Sequence, residues 1–285
     1  MGLNSRRDVL FNDSALAVQV PYARPDQEIA SSTLSVAQRH GWIWDIGLPT
    51  RRGVGYVYSS AHTGEQEART DLRDYLAATG AEADAAQARR IDFEPGYRER
   101  FWHRNCVAIG LSAGFIEPLE ASAIALVELS AAMLRDELPD VRAQMDVVAA
   151  RFNEAFAYRW ERIIDFLKLH YVLSRRRDTA YWRDHADTAS IPTRLRELLA
   201  LWRHRSPSRH DFPRVEEIFP SASYHYILYG MGFTPATPNT RSSGAPERAA
   251  PFFQETAQAV ARMLGALPGN RELLAHAALH GFPRI

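Results

Sequence analysis

The sequence predicts an α+β fold, β-rich in its N-terminal part and mainly helical thereafter, and three observations carry that expectation. Residues 9–60 break into short stretches rich in β-branched and aromatic side chains, VLFNDSALAVQVPY, STLSVAQRHGWIWDIGL and GVGYVYSS, separated by Pro, Gly and Arg-Arg turns. Beyond residue 121 helix formers dominate. There Val148, Phe152, Phe156, Trp160, Ile163, Leu167 and Tyr171 recur at steps of three or four, the spacing of one helical face and of a core stripe. Thirdly, no G-x-G-x-x-G turn occurs: Gly53 and Gly55 give only GVG, and Gly230 and Gly232 only GMG. The dinucleotide-binding βαβ unit is therefore expected to be absent.

Taken in order, the stretches within 9–60 should build an open sheet. Trp42 and Trp44 flank Ile43 along one strand, which points both indoles to one face. EQEARTDLRDYLAAT, within residues 64–79, reads as a short helix, and residues 82–90 as a second helix or a loop. A strand at 90–93 follows. Cys106, Val107, Ala108 and Ile109 read as a buried strand, and Pro118 as the opening of a helix. TPATPNTRSSGAPERAAP, residues 234–251, reads as a mobile linker before a terminal helical pair. The expected division is a β-rich part at 1–120, a helical part at 121–235, and linker plus terminal helices at 236–285, all one domain overall.

Composition decides less. At 285 residues and 46% hydrophobic content the chain can bury one large core or two smaller ones. Lys plus Arg and Asp plus Glu both number 34, so no electrostatic pull toward nucleic acid or an anionic membrane is expected. The single cysteine, Cys106, excludes an internal disulfide and fits a reducing cytoplasm. MGLNSRRDVLFNDSAL carries charges where a signal peptide needs an apolar core, and no uncharged apolar run reaches the length of a membrane span. A cytoplasmic protein is the expectation. His103, His170, His185 and His225 are scattered without ligand spacing, so no metal is expected.

Residues 105–120, NCVAIGLSAGFIEPLE, concentrate the chemistry. Gly110 and Gly114 let backbone approach closely, and two carboxylates, Glu117 and Glu120, sit where a helix begins. The free N–H groups and positive dipole end of that helix would suit an anion or the edge of a flavin. Glu120 can equally serve as a helix-dipole partner, and Glu117 as an N-terminal cap or a structural hydrogen-bond acceptor.

This segment resembles the flavin-side helix of the flavin-dependent halogenases, the tryptophan halogenase family, in which an EPLES motif follows an NCVAIGL run. Trp42 to Ile46 resemble the family's WxWxIP motif, with Gly47 in place of the proline; GYVYSS at 55–60, RFWHRN at 100–105 and ERIIDFLKLHYVLSRRRDTAYWR at 161–183 follow in the family's order. The similarity runs from about residue 8 to 280, ending with 260–276, which look like the closing helices. It implies a fragment, the C-terminal half, of a flavin-monooxygenase-like α/β fold. By that resemblance Glu120 is the catalytic carboxylate beside the substrate ring. Ala121, Ser122, Ala123 and Ile124 border the cofactor, and the backbone at Ser122 and Ala123 holds halide where the family usually has Ser-Thr-Gly. Trp42 and Trp44 stand between flavin and substrate, so that only a small oxidised halogen species passes. Tyr224 and Tyr226, in SASYHYILYGMGF, are the nearest candidates for substrate-pocket walls, although they can equally pack their own helix.

The resemblance also implies FAD, reduced by a separate flavin reductase, chloride or bromide as co-substrate, and halogenation of tryptophan or a related indole, pyrrole or phenol. The family's nucleotide-binding strand–turn–helix and its catalytic lysine belong to an N-terminal half not seen in these residues. The chain is accordingly expected to be inactive unless a separate N-terminal FAD-binding polypeptide supplies them. Two other readings stay open: a non-catalytic remnant or interaction protein, and a flavin monooxygenase that hydroxylates its substrate because Gly47 loosens the tryptophan barrier.

Overall fold

A computed structural model of the chain describes residues 2–81, 83–214, 217–236 and 245–281. The expected sheet forms. Strands β1 (Leu3–Ser5), β2 (Ser14–Pro21), β3 (Leu34–Ala37), β4 (Gly41–Gly47) and β5 (Arg51–Tyr58) precede helix α1 (Glu65–Ala78), and β6 (Arg89–Asp92) follows it. Between α1 and β6 the described residues make only a single 3-10 turn, Ala85–Gln87, so those from 83 to 88 are a loop. The main sheet has the order β3-β4-β5-β2-β6, antiparallel throughout. Its two faces follow the period of two. Ile43, Val54, Tyr56 and Tyr58 pack with Leu16 against Ala68, Leu72 and Leu76 of α1, while Ala15, Trp42 and Val57 face the opposite way.

A smaller sheet joins β1, β7 (Gly96–Arg98) and, beyond the hairpin β8 (Trp102–His103) and β9 (Cys106–Val107), β10 (Gly114–Phe115) in the order β1-β7-β10. The helical part contains α2 (Ala123–Glu137), α3 (Arg142–Leu173), α4 (Ala180–Ala186), α5 (Thr193–Trp202), α6 (Ser221–Gly230), α7 (Ala245–Ala266) and α8 (Asn270–His280). Helix α3 is the spine of the molecule. Its stripe of Phe152, Phe156, Trp160, Ile163, Leu167 and Tyr171 is buried against Leu10, Trp42, Tyr97, Phe101 and Trp102, with Val148 at the margin, so one core spans the β-rich and helical parts. The other side of α3 packs Phe166 and Leu169 on Leu195, Leu198, Trp202 and Leu228.

Three local expectations are corrected. The run at 106–109 is strand only at Cys106–Val107, and Cys106 is exposed, because the hairpin lies at a rim and Gly110, at φ +61°, turns the chain away at once. The helix expected at Pro118 starts only at Ala123. Ala121 takes φ +47°, outside the helical well, and a tight turn closes instead from the Ala121 N–H to the Pro118 carbonyl at 3.1 Å. Of the linker at 234–251, residues 237–244 lie outside the described residues, and the stretch from Ala245 onward belongs to α7. Among the described residues no helix is long and apolar enough to cross a membrane.

Lys168 is the chain's only lysine, and it is fully buried. Its ammonium donates to the Val9 carbonyl at 3.1 Å and the Ser190 hydroxyl at 2.9 Å, and lies 3.0 Å from His185 Nδ1. No carboxylate contacts it among the described residues, and burial pulls its pKa down to about 7.

Candidate active site

The turn at 117–120 hangs between β10 and α2, and the end of α3 grips it through two successive residues. The Tyr171 hydroxyl donates to Glu117 Oε2 at 2.5 Å, and His170 Nε2 lies 2.8 Å from Glu120 Oε1. The Nδ1–H of His170 is spent on the Phe166 carbonyl at 2.9 Å, which fixes the ring's orientation. Glu120 keeps partial exposure, its side chain 29% accessible, so a small molecule can reach its carboxylate. It belongs to a turn ahead of α2, whose own first turn carries no acidic residue.

Glu117 is the opposite case, 3% exposed. Besides Tyr171, it accepts hydrogens from Trp42 Nε1 at 2.8 Å and Asn12 Nδ2 at 2.5 Å, all on Oε2. It is thus a structural acceptor and not an N-terminal cap. Burial pushes its carboxyl above the usual range.

Trp42 and Trp44 share a face of β4, as their spacing requires, with ring centroids 6.3 Å apart at 63°. Trp42 is buried, and Trp44 half-buried. Gly55, opposite Trp44 in β5, is what makes room: a Cβ there would collide with the Trp44 indole.

Beside the turn opens a cavity of about 310 Å3, lined by Gly110, Ala113, Glu117, Ala121, Ser122 and Ala123 together with apolar side chains such as Phe156 and Trp160. Ile124 stands at its rim, 73% exposed. The first N–H groups of α2 have no acceptor within the helix, and Ser122 offers no side-chain cap to them. An apolar cleft that ends on free backbone donors fits a flat ring with a polar edge, or a small anion. Ala121 holds its left-handed conformation without glycine, which costs about 1 kcal/mol. Ala121→Gly is expected to raise stability by about 0.5 kcal/mol, read as a higher midpoint in urea, because relief of strain exceeds the added chain entropy.

The tyrosines are not brought together. Tyr224 is core, against Phe166 at 4.8 Å and Phe212 at 4.6 Å between ring centroids, whereas Tyr226 is 81% exposed on the far side of α6. They do not form walls of one pocket, because two residues apart on a helix means opposite faces. Among the described residues no three His, Cys, Asp or Glu side chains gather to hold a metal ion. What sequence reasoning did not single out is the grip of His170 and Tyr171 on the two glutamates, and the part of Asn12. The adjacent His-Tyr pair in FLKLHYVLSR was the available signal, but only tertiary packing shows what it faces.

The sequence pattern of the tryptophan halogenase family matches residues 1–247. Tryptophan 6-halogenase SttH of Streptomyces toxytricini is 38% identical over 231 residues, covering 80% of this chain and 43% of that protein. The 7-chloro-L-tryptophan 6-halogenase KtzR of Kutzneria sp. is 34% identical over 276 residues, 95% of this chain and 52% of that one. The crystal structure of a tryptophan halogenase from Shewanella frigidimarina superimposes with a TM-score of 0.93 at 48% identity, covering 100% of this chain and 54% of its own. The chain spans about half the length of these relatives. Sequence pattern, identity and superposition agree: the chain belongs to the tryptophan halogenase family.

Proposed function

We propose that this chain is the C-terminal, substrate-side portion of an FAD-dependent halogenase. It acts on an electron-rich aromatic ring, tryptophan or a related indole, pyrrole or phenol, replacing a ring hydrogen by chlorine or bromine. The observation that supports this best is the meeting of Trp42 with the 117–120 turn. Residues 75 positions apart are joined through one carboxyl, with Glu120 three residues further on. SttH and KtzR are named for halogenating tryptophan, and Xcc4156 from Xanthomonas campestris, another similar structure, is a flavin-dependent halogenase, which brings substrate class and cofactor to the reading.

In this reading Glu120 stabilises positive charge on the ring and takes up the departing proton, both tasks for a partly exposed carboxylate. The backbone of Ala121, Ser122, Ala123 and Ile124 borders the flavin, and the N–H groups at Ser122 and Ala123 hold halide. Trp42 and Trp44 shield the substrate. When bound, FAD reduced by a separate flavin reductase supplies, with oxygen, the oxidising equivalents that make halide electrophilic.

The dinucleotide part of FAD has no holder among the described elements, whose strand pairings are all antiparallel. The only lysine is sealed in the core. Activity therefore needs a nucleotide-binding unit that also brings a reactive lysine, in the same polypeptide or as a separate N-terminal FAD-binding one. We read residues 1–285 as one halogenase-like unit. Leu111 and Val127, 79% and 39% exposed beside the cavity, with Ile124 form the apolar surface that unit would cover.

The test is to titrate the chain with FAD, alone and with the N-terminal half of a relative, and to read product mass. Alone, neither tight binding nor turnover is expected; the mixture should add one halogen in place of one hydrogen. Turnover by the chain alone overturns the need for a second unit. Addition of oxygen without halogen turns the reading into a hydroxylating monooxygenase.

A further inference from the structure

We infer that Glu117 is the residue that positions the tryptophan barrier, by a buried hydrogen-bond hub that ties Trp42 to α3 and to the segment ahead of β2. The inference rests on the reading of Trp42 as a shield. An indole on a strand is held by packing on its faces and edges, whose directional preference is weak; its ring N–H is the strongly directional handle. That handle is spent on Glu117 Oε2 at 2.8 Å. The neighbour on the same face, Trp44, meets Trp42 edge-on, a contact that tolerates sliding.

The hub is braced from separate elements. Asn12 Nδ2 donates to both Glu117 Oε2 at 2.5 Å and the Tyr171 oxygen at 3.0 Å, and the Tyr181 hydroxyl donates to Asn12 Oδ1 at 3.1 Å. Trp42, Asn12, Tyr171 and Tyr181 are all buried. Three donors converge on one oxygen in a buried site, where each bond is strengthened and each loss leaves a donor unsatisfied. The second oxygen, Oε1, is buried and has no protein hydrogen-bond partner among the described residues. A glutamine presents the same kind of carbonyl oxygen to the three donors. A glutamine can therefore replace it, whereas an apolar side chain cannot.

The experiment reads the six indole N–H signals of the 15N-labelled full chain, with Trp42 assigned by its loss in Trp42→Phe. In Glu117→Gln the Trp42 signal should stay in place. In Glu117→Met it should move and exchange with D2O about tenfold faster, while the Trp202 indole, held by Asp211 in another cluster, stays put. Tyr171→Phe, which removes one donor and keeps the acceptor, should leave the Trp42 signal where it is. An unmoved Trp42 signal in Glu117→Met overturns the inference, as does a Trp202 signal that moves with it, since Glu117 would then be an ordinary core residue. In the assembled enzyme, the share of consumed oxygen that ends in halogenated product should fall in Trp42→Phe and Glu117→Met and hold in Glu117→Gln. If Trp42→Phe leaves that share unchanged, the shield reading fails while the hub stands.

Discussion

Replacing Glu120 by Gln in the assembled enzyme is expected to lower halogenation by about 10²- to 10³-fold with substrate affinity unchanged, the loss of a positioned carboxylate that both stabilises charge and accepts a proton. The amide keeps the shape of the turn and its place beside His170, 2.8 Å from the ring nitrogen in the wild type, so the fold should not answer for the loss. Single-turnover product formation, measured beside substrate titration, separates the two. A loss smaller than about tenfold would leave Glu120 no more than a partner of His170 and remove it from the chemistry.

The second large effect concerns stability. The unfolded chain holds the proton of Lys168 up to its usual value of 10.5, whereas the folded chain releases it at about 7. Between those values the unfolded state binds more protons, so stability rises with pH; below about 7 both states are charged and the penalty stays constant. From pH 7 to pH 9 this one amine should add about 2 kcal/mol. Other buried groups titrate too, and burial pushes the carboxyls of Glu117 and Asp165 up, which has the opposite slope. The informative quantity is thus the difference between wild type and Lys168→Met in urea unfolding at the two pH values. It should shift toward the wild type by about 2 kcal/mol, and a difference that does not change with pH would show that the amine does not titrate in this window.

The strands, α1 and the α3 stripe could be read from the sequence because each announces itself by a local period, two for Trp42-Ile43-Trp44 and nearly four for Phe152 to Tyr171. Glycine at 110 and 114 pointed correctly to a tight path. The helix start was misplaced for an equally local reason: Pro118 and Glu120 satisfy the chemistry of a first turn, but nothing in residues 117–122 announces that Ala121 adopts a positive φ. Burial was misjudged at Cys106, although Ala108 is in the core, because an apolar run says nothing of whether a sheet lies on both sides of it. Glu117 was legible as an acceptor and not as a hub. Its donors come from positions 12, 42 and 171, and only tertiary packing brings them to one oxygen.

The lone, enclosed lysine has one practical consequence. Arginine provides every other cationic side chain except histidine, and arginine does not react with amine-directed acylating reagents. Acylation at position 168 therefore waits for the core around Val9, His185 and Ser190 to come apart. The sequence thus carries its own clock for global opening: the rate at which that one side chain is modified under native conditions measures how often the spine of the molecule lets go.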